Sequence, residues 1–169
     1  KDVRGTANRV TESQILDDIE LFELKAFSLL VVEMRELLLS ANITVVSLPD
    51  LEPVVNILDP EKMRIPHFYV YDAYSPELAA LRAKMKTLKM DEKTEERVLD
   101  QLQFEHTELE DRIREKLSEQ IHPYKKEINE ALVNTATLDI LLAKAQQTID
   151  MQLCKPEIST STTRYIKIF

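Results

Sequence analysis

Nucleophilic catalysis needs a cysteine or serine beside a base, with a third group to orient it, and this 169-residue chain offers one cysteine, Cys154, and three histidines. Cys154 follows an apolar helical stretch, where a free cysteine commonly serves as a small packing residue. His67, His106 and His122 lie far apart, and none stands four residues from another histidine or from the cysteine, as a pair of zinc ligands on one helix would. Carboxylates are abundant. Glu95 and Glu96, or Glu108, Glu110 and Asp111, are interleaved with Arg97, Arg112, Arg114 and Lys116, which reads as a solvated helix face whose i, i+4 pairs contribute roughly a few tenths of a kcal/mol each. One basic patch stands against the acidic average: Arg82, Lys84, Lys86 and Lys89, with no acid between Glu77 and Asp91. These four are the candidate nucleic-acid contacts, able to touch phosphates weakly and in a salt-sensitive way; the same pattern also describes a solvated helix face. No catalytic, cofactor-binding or metal-ligating set is expected in this chain.

The elements that must position these residues are constrained by a single glycine, Gly5, alongside seven prolines. Hairpin turns and phosphate-cradling loops need backbone with φ > 0, which glycine adopts cheaply. Sandwiches, dinucleotide-binding fingerprints and P-loops are therefore disfavoured, and long helices with few turns fit best. Hydrophobic residues make up 44% and charged residues 31%, the balance of a folded domain with a charged surface. A net charge of -8 works against non-specific binding to nucleic acid. A lone cysteine forms no intramolecular disulfide and suits a reducing compartment, which points to the cytoplasm. The longest apolar stretch, Ala26 to Leu39, is interrupted by Glu33, Arg35 and Glu36, so no membrane span is expected. Lys1 to Gln14 lacks the apolar region of a signal peptide, and a first residue other than methionine suggests a piece of a longer protein.

The periodicity predicts one long helix from Thr11, capped by Thr11 or Ser13, to about Ser40 to Asn42, with Ile15, Ile19, Phe22, Phe27, Leu30, Met34, Leu37 and Leu38 on its apolar side. Pro49 opens a short helix to Leu58. Asp59-Pro60 and Ile65-Pro66 bracket a connector, and His67 to Tyr71 is strand-like by composition. Ser75-Pro76-Glu77 is a strong helix opening, and neither glycine nor proline interrupts Glu77 to His122. A continuous helix there would span on the order of 70 Å, so either a protruding arm or a turn near Met90 to Thr94 is expected. Pro123 ends that stretch, and a further helix runs from about Tyr124 to Gln152 with Ile128, Leu132, Leu138, Leu141, Leu142, Ala145 and Ile149 on its apolar face. Ser159 to Thr163 reads as a polar linker, and Tyr165 to Phe169 alternates like a first strand. The expected fold is mainly all-α, a long-helix core and lever bundle with at most a minor pair of short strands. Residues 1–74 form a helical core lobe with a connector, 75–152 outgoing and returning lever helices, and 153–169 a linker.

Several of these segments, taken in order, resemble the core and lever region of the MutS family of DNA mismatch-repair ATPases. Asp2-Val3-Arg4-Gly5-Thr6 and Leu16-Asp17-Asp18-Ile19-Glu20-Leu21-Phe22-Glu23-Leu24-Lys25 are similar to the segment entering that core. Tyr71-Asp72-Ala73-Tyr74-Ser75-Pro76-Glu77-Leu78 with Leu81-Arg82 resembles the start of the outgoing lever helix. Leu109 to Ile113 through Leu117, then Leu138 to Ala145, resemble the returning helices, and Cys154-Lys155-Pro156-Glu157-Ile158 the junction after them. The resemblance implies a lever that joins a DNA-facing end to a C-terminal ATPase. It also implies ATP and magnesium in that ATPase domain, double-stranded DNA as partner and a homodimer at full length. The family's mismatch-reading Phe-x-Glu motif and its Walker A pattern have no counterpart here, and the clamp between the lever helices is missing or reduced to Lys86 to Lys93. A helical interaction or dimerisation module acting as an adaptor is the competing reading, motivated by the uninterrupted stretch Glu77 to His122.

Overall fold

The computed structural model describes residues 2–89 and 96–153, without the side chains of Lys89 and Glu96. Among them the fold is all-α: α1 (Arg4–Thr11), α2 (Asp18–Ser40), α3 (Glu52–Leu58), α4 (Pro76–Lys89), α5 (Glu96–Ile121) and α6 (Lys125–Asp150), with 3-10 turns at Asp72–Tyr74 and His122–Tyr124. The segment expected to pair as a strand, His67 to Tyr71, is extended but unpaired, and no strand occurs among the described residues. Its alternation still orders it. Phe68, Val70 and Tyr71 are buried while His67 and Tyr69 face outward, and backbone groups that a sheet would satisfy are met by side chains, with Arg82 Nη1 donating to the Val70 carbonyl at 2.8 Å.

The N-terminal region departs from the expected single helix. The polar run before Gln14 forms α1, whose Thr6, Ala7 and Val10 are buried, and the chain turns at Ser13, a left-handed residue with φ 58°. α2 then opens on Asp17 rather than Thr11 or Ser13. The Asp17 carboxylate accepts from the Glu20 N–H at 2.8 Å and the Glu20 carboxylate accepts from the Asp17 N–H at 3.0 Å, a reciprocal capping box. Asp17→Ala is expected to cost about 1 kcal/mol in denaturant unfolding; a loss within error of zero would show that the box carries no stability.

The buried face of α2 is also rotated from the expected one. Leu21, Leu24, Lys25, Ser28, Val31 and Val32 face inward with Phe27, whereas Ile15 is 52% and Ile19 62% exposed, and Leu30 and Leu37 are also exposed. Hydrophobicity alone misplaced the register because the inward face contains a lysine and a serine, and because the apolar run around Leu30 continues onto the outer side. α3 starts at Glu52, not Pro49: the Asp50 carboxylate accepts from the Glu52 N–H at 2.9 Å, and Pro53 lies within the first turn.

α4 begins at Pro76, and the Ser75 hydroxyl faces the Leu78 N–H at 3.4 Å. The long uninterrupted stretch is two helices, not one. Arg82 of α4 reaches His106 and Glu110 of α5, which sets the two helices side by side as a hairpin; the expected turn near Met90 to Thr94 lies outside the described residues. Pro123 closes α5 and places a 3-10 turn before α6. One apolar cluster gathers residues from α1, α2, α3 and the connector with Leu78, Ile113, Leu117, Ile121, Ile128 and Ala131. The core therefore continues across Tyr74 into the inner halves of α5 and α6. Beyond Leu138 α6 has no buried residue up to Leu153. The expected linker, its Tyr165 to Phe169 strand and Cys154 lie outside the described residues.

Candidate functional site

The four basic residues of the candidate nucleic-acid site separate into two kinds. Lys84 and Lys86 are exposed on α4, beyond the buried core, and stay available to an anion. Lys89 ends the same helix, and its side chain lies outside the described residues. Arg82 does not belong with them. Its guanidinium donates to Asp72 Oδ1 at 2.5 Å, to Glu110 Oε1 at 2.8 Å, to His106 Nε2 at 3.0 Å and to the Val70 carbonyl at 2.8 Å. Burial opposes the Arg82 charge, but the hydrogen bonds and negative charges of Asp72 and Glu110 outweigh it and raise its pKa. Arg82 is a brace between α4, α5 and the connector.

A second arginine continues the brace into the core. Arg114 of α5 donates to Asp18 Oδ1 at the start of α2 at 2.7 Å, to Asp111 at 2.5 Å and to Glu110 Oε2 at 3.4 Å. Its hydrogen bonds to Asp18 raise its pKa against the opposing effect of burial. Glu110 takes one arginine on each oxygen, so Asp72, Arg82, Glu110, Arg114 and Asp18 form a chain of charge-assisted bonds from the connector through the hairpin to the first turn of α2. One turn further, Ser118 accepts from the Leu16 N–H at 2.9 Å and donates to the Arg114 carbonyl at 2.7 Å. The carboxylates singled out in the sequence are thus partnered where they are described: Glu110 and Asp111 with Arg114, and Glu108 with Arg112 at 3.8 Å.

The histidines are not brought together. His106 belongs to the Arg82 brace; the ring of His122 lies 3.0 Å from the Val10 carbonyl and 3.0 Å from the Ser13 hydroxyl, tying the α5–α6 corner to α1; and the ring of His67 lies tilted against that of Tyr69 with centroids 5.6 Å apart. Among the described residues no group of three histidine, cysteine, aspartate or glutamate side chains is placed to hold a metal ion. No described helix is long and apolar enough to cross a membrane.

Composition gave no sign of the ion pair buried between α2 and the connector. Lys25 Nζ donates to Asp59 Oδ1 and to the Tyr71 hydroxyl, each at 3.0 Å, and both charged side chains are almost wholly out of solvent. A lysine at i+4 from a buried leucine was the available signal, since Leu21, Lys25 and Ser28 share one helix face.

No protein-family model matches the chain, and no curated protein matches it. A groove of about 790 Å³ lies between α2 and α6 beside the start of α1, lined by Val3, Phe27, Leu30, Met34, Leu132 and Leu142 with Asp2, Arg4 and Asp139.

Proposed function

We propose that this chain is the helical core and lever segment of a MutS-related DNA mismatch-repair protein, a non-catalytic element that couples DNA or partner contact to a C-terminal ATPase. The observation that carries the reading is the braced hairpin: α4 and α5 leave the core side by side, and a continuous run of ion pairs ties their inner half to the connector and to α2. A stiff arm anchored at one end is what transmission over a distance requires. The order of the similar segments along nearly the whole chain supports the same reading. In it, ATP and magnesium belong to the ATPase domain, double-stranded DNA is met by the full-length protein, the assembly is a homodimer, and the setting is the cytoplasm.

Lys84 and Lys86 are the residues through which the arm would meet phosphates, with Lys89 beside them in sequence. Charge reversal of the pair, Lys84→Glu with Lys86→Glu, is expected to weaken duplex binding by the full-length protein. The slope of log affinity against log salt should fall by about 1 for each phosphate no longer neutralised. An unchanged slope removes these lysines from the interface. The reading as a whole is tested by the coding sequence after Phe169: a glycine-rich Walker A motif within the next domain-length is expected, and continuation into an unrelated sequence, or an early stop, would overturn it.

One observation favours the adaptor reading. Leu142 and Ile149, seven residues apart on one face of the outer half of α6, are both exposed, the spacing with which paired helices meet. Concentration-dependent self-association of a full-length protein that carries no ATPase would support that alternative.

A further inference from the structure

The inward face of α2 presents an ammonium group where its spacing asks for a hydrocarbon. Lys25 is fully buried beside Leu21, Leu24 and Ser28, and two residues of the connector converge on it. Asp59 accepts from its Nζ at 3.0 Å, the Tyr71 hydroxyl accepts at 3.0 Å, and that hydroxyl donates in turn to the His67 carbonyl at 2.9 Å. The Tyr71 ring also lies 5.2 Å from the ammonium. The second oxygen of Asp59 accepts from the Arg64 N–H at 2.7 Å and so closes a turn in which Lys62 and Arg64 hold φ of 54° and 51°. These are left-handed conformations that residues with a side chain adopt only at a cost, and they persist where surrounding contacts impose them.

A buried ion pair adds little stability over an apolar pair of the same volume; its best attested use is to select one arrangement among several. The connector needs such selection. Phe68, Tyr69, Tyr71 and Tyr74 pack on one another with centroids between 4.1 and 6.5 Å, and rings of similar shape would bury nearly as well after a slip along α2. A charge with one partner would not. At its far end the connector is gripped by Arg82 through Val70 and Asp72, so its position on α2 sets where α4 starts.

We propose that Lys25, Asp59 and Tyr71 form a latch that fixes the register of the connector, residues 59–75, on α2 and thereby where α4 starts and how it lies against α5. With the latch open, the left-handed turn at 62–64 relaxes and α4 takes more than one position beside α5, which its own contacts with the core hold in place. Its use in transmission rests on the lever reading; the latch itself belongs to this chain and stands or falls without an ATPase.

The test is amide hydrogen exchange on the 169-residue chain with Lys25→Met and Asp59→Asn combined, a change that leaves no unpaired charge in the core. The expected result is retained helical circular dichroism, with protection reduced by about tenfold or more at Arg64, Tyr74 and Ser75 while the amides of α2 and α5 keep theirs. In the same background, with Cys154→Ser, spin labels at Ser40→Cys on α2 and at the exposed Thr87→Cys on α4 should pass from one narrow distance distribution to a broad or double one. Wild-type protection and an unchanged distribution would overturn the latch. So would a uniform loss of protection or failure to fold, either of which would make the pair a general stabiliser of the core. A missing Walker A motif after Phe169 would sink the lever reading and leave these outcomes untouched.

Discussion

Lys25→Met is expected to destabilise the protein by about 3–5 kcal/mol in denaturant unfolding, because it strands the Asp59 carboxylate in the core without its cation. The loss should be partly recovered when Asp59→Asn is added, since the remaining hydrogen bonds then join neutral groups. Burial pushes the Asp59 carboxyl up, but the Arg64 N–H and the Lys25 ammonium together hold it below its ordinary value of 3.8. The folded protein therefore binds fewer protons at this site than the unfolded chain, and stability rises with pH across the carboxylate range. The contribution is complete above the ordinary pKa and disappears as pH falls through the folded value. Removing the ammonium should let burial raise the Asp59 carboxyl, so the deficit of the variant relative to the wild type should shrink as pH falls and the carboxylate is protonated. Equal stability of the variant and the wild type from about pH 7 down to about pH 3, a window that brackets the ordinary carboxylate pKa, would show that the pair contributes nothing.

Leu117→Ala is expected to cost about 2–5 kcal/mol, the range for deleting a leucine side chain in a core that collapses only partly around the cavity. Leu117 is 2% exposed and shares its cluster with Ile113, Ile121 and Ile128, where α5 meets the core. The control is Leu142→Ala. Leu142 also sits on an apolar helix face in the sequence, yet it is 60% exposed, so its removal should change unfolding by no more than about 0.5 kcal/mol. Similar costs for the two leucines would mean that α6 beyond Leu138 is covered in solution, which would favour the interaction module.

The contrast between those two leucines shows how far the sequence reached. Apolar residues recur at helical spacing at Leu78, Leu81, Met85 and Leu88 and again at Leu102, Leu109, Ile113, Leu117 and Ile121; all are buried but the half-buried Leu81, Leu88 and Leu109, because α4 and α5 each press one face inward and a one-sided stripe is what periodicity detects. It failed on α2, which is flanked by α1, α3 and α6 and whose inward face includes Lys25 and Ser28. It missed α1, where Val3, Ala7 and Val10 stand at i, i+4 and i+7 and are buried, because a stripe of three small side chains inside a polar run is short. The basic patch was read from charge alone, and charge alone could not tell Arg82, consumed by Asp72 and Glu110, from Lys84 and Lys86, left in solvent.

Local chemistry settled by itself that the chain is helical, that Ser75-Pro76 opens a helix and that Pro123 closes one, because caps, missing N–H groups and the scarcity of glycine act within a few residues. Only the tertiary structure decided that the stretch after Glu77 folds back as a hairpin, which carboxylate each arginine takes, and that an ammonium on α2 meets Asp59 and Tyr71 across 34 and 46 residues of chain. Those choices depend on which side chains lose their water together, a condition that no short window of sequence contains.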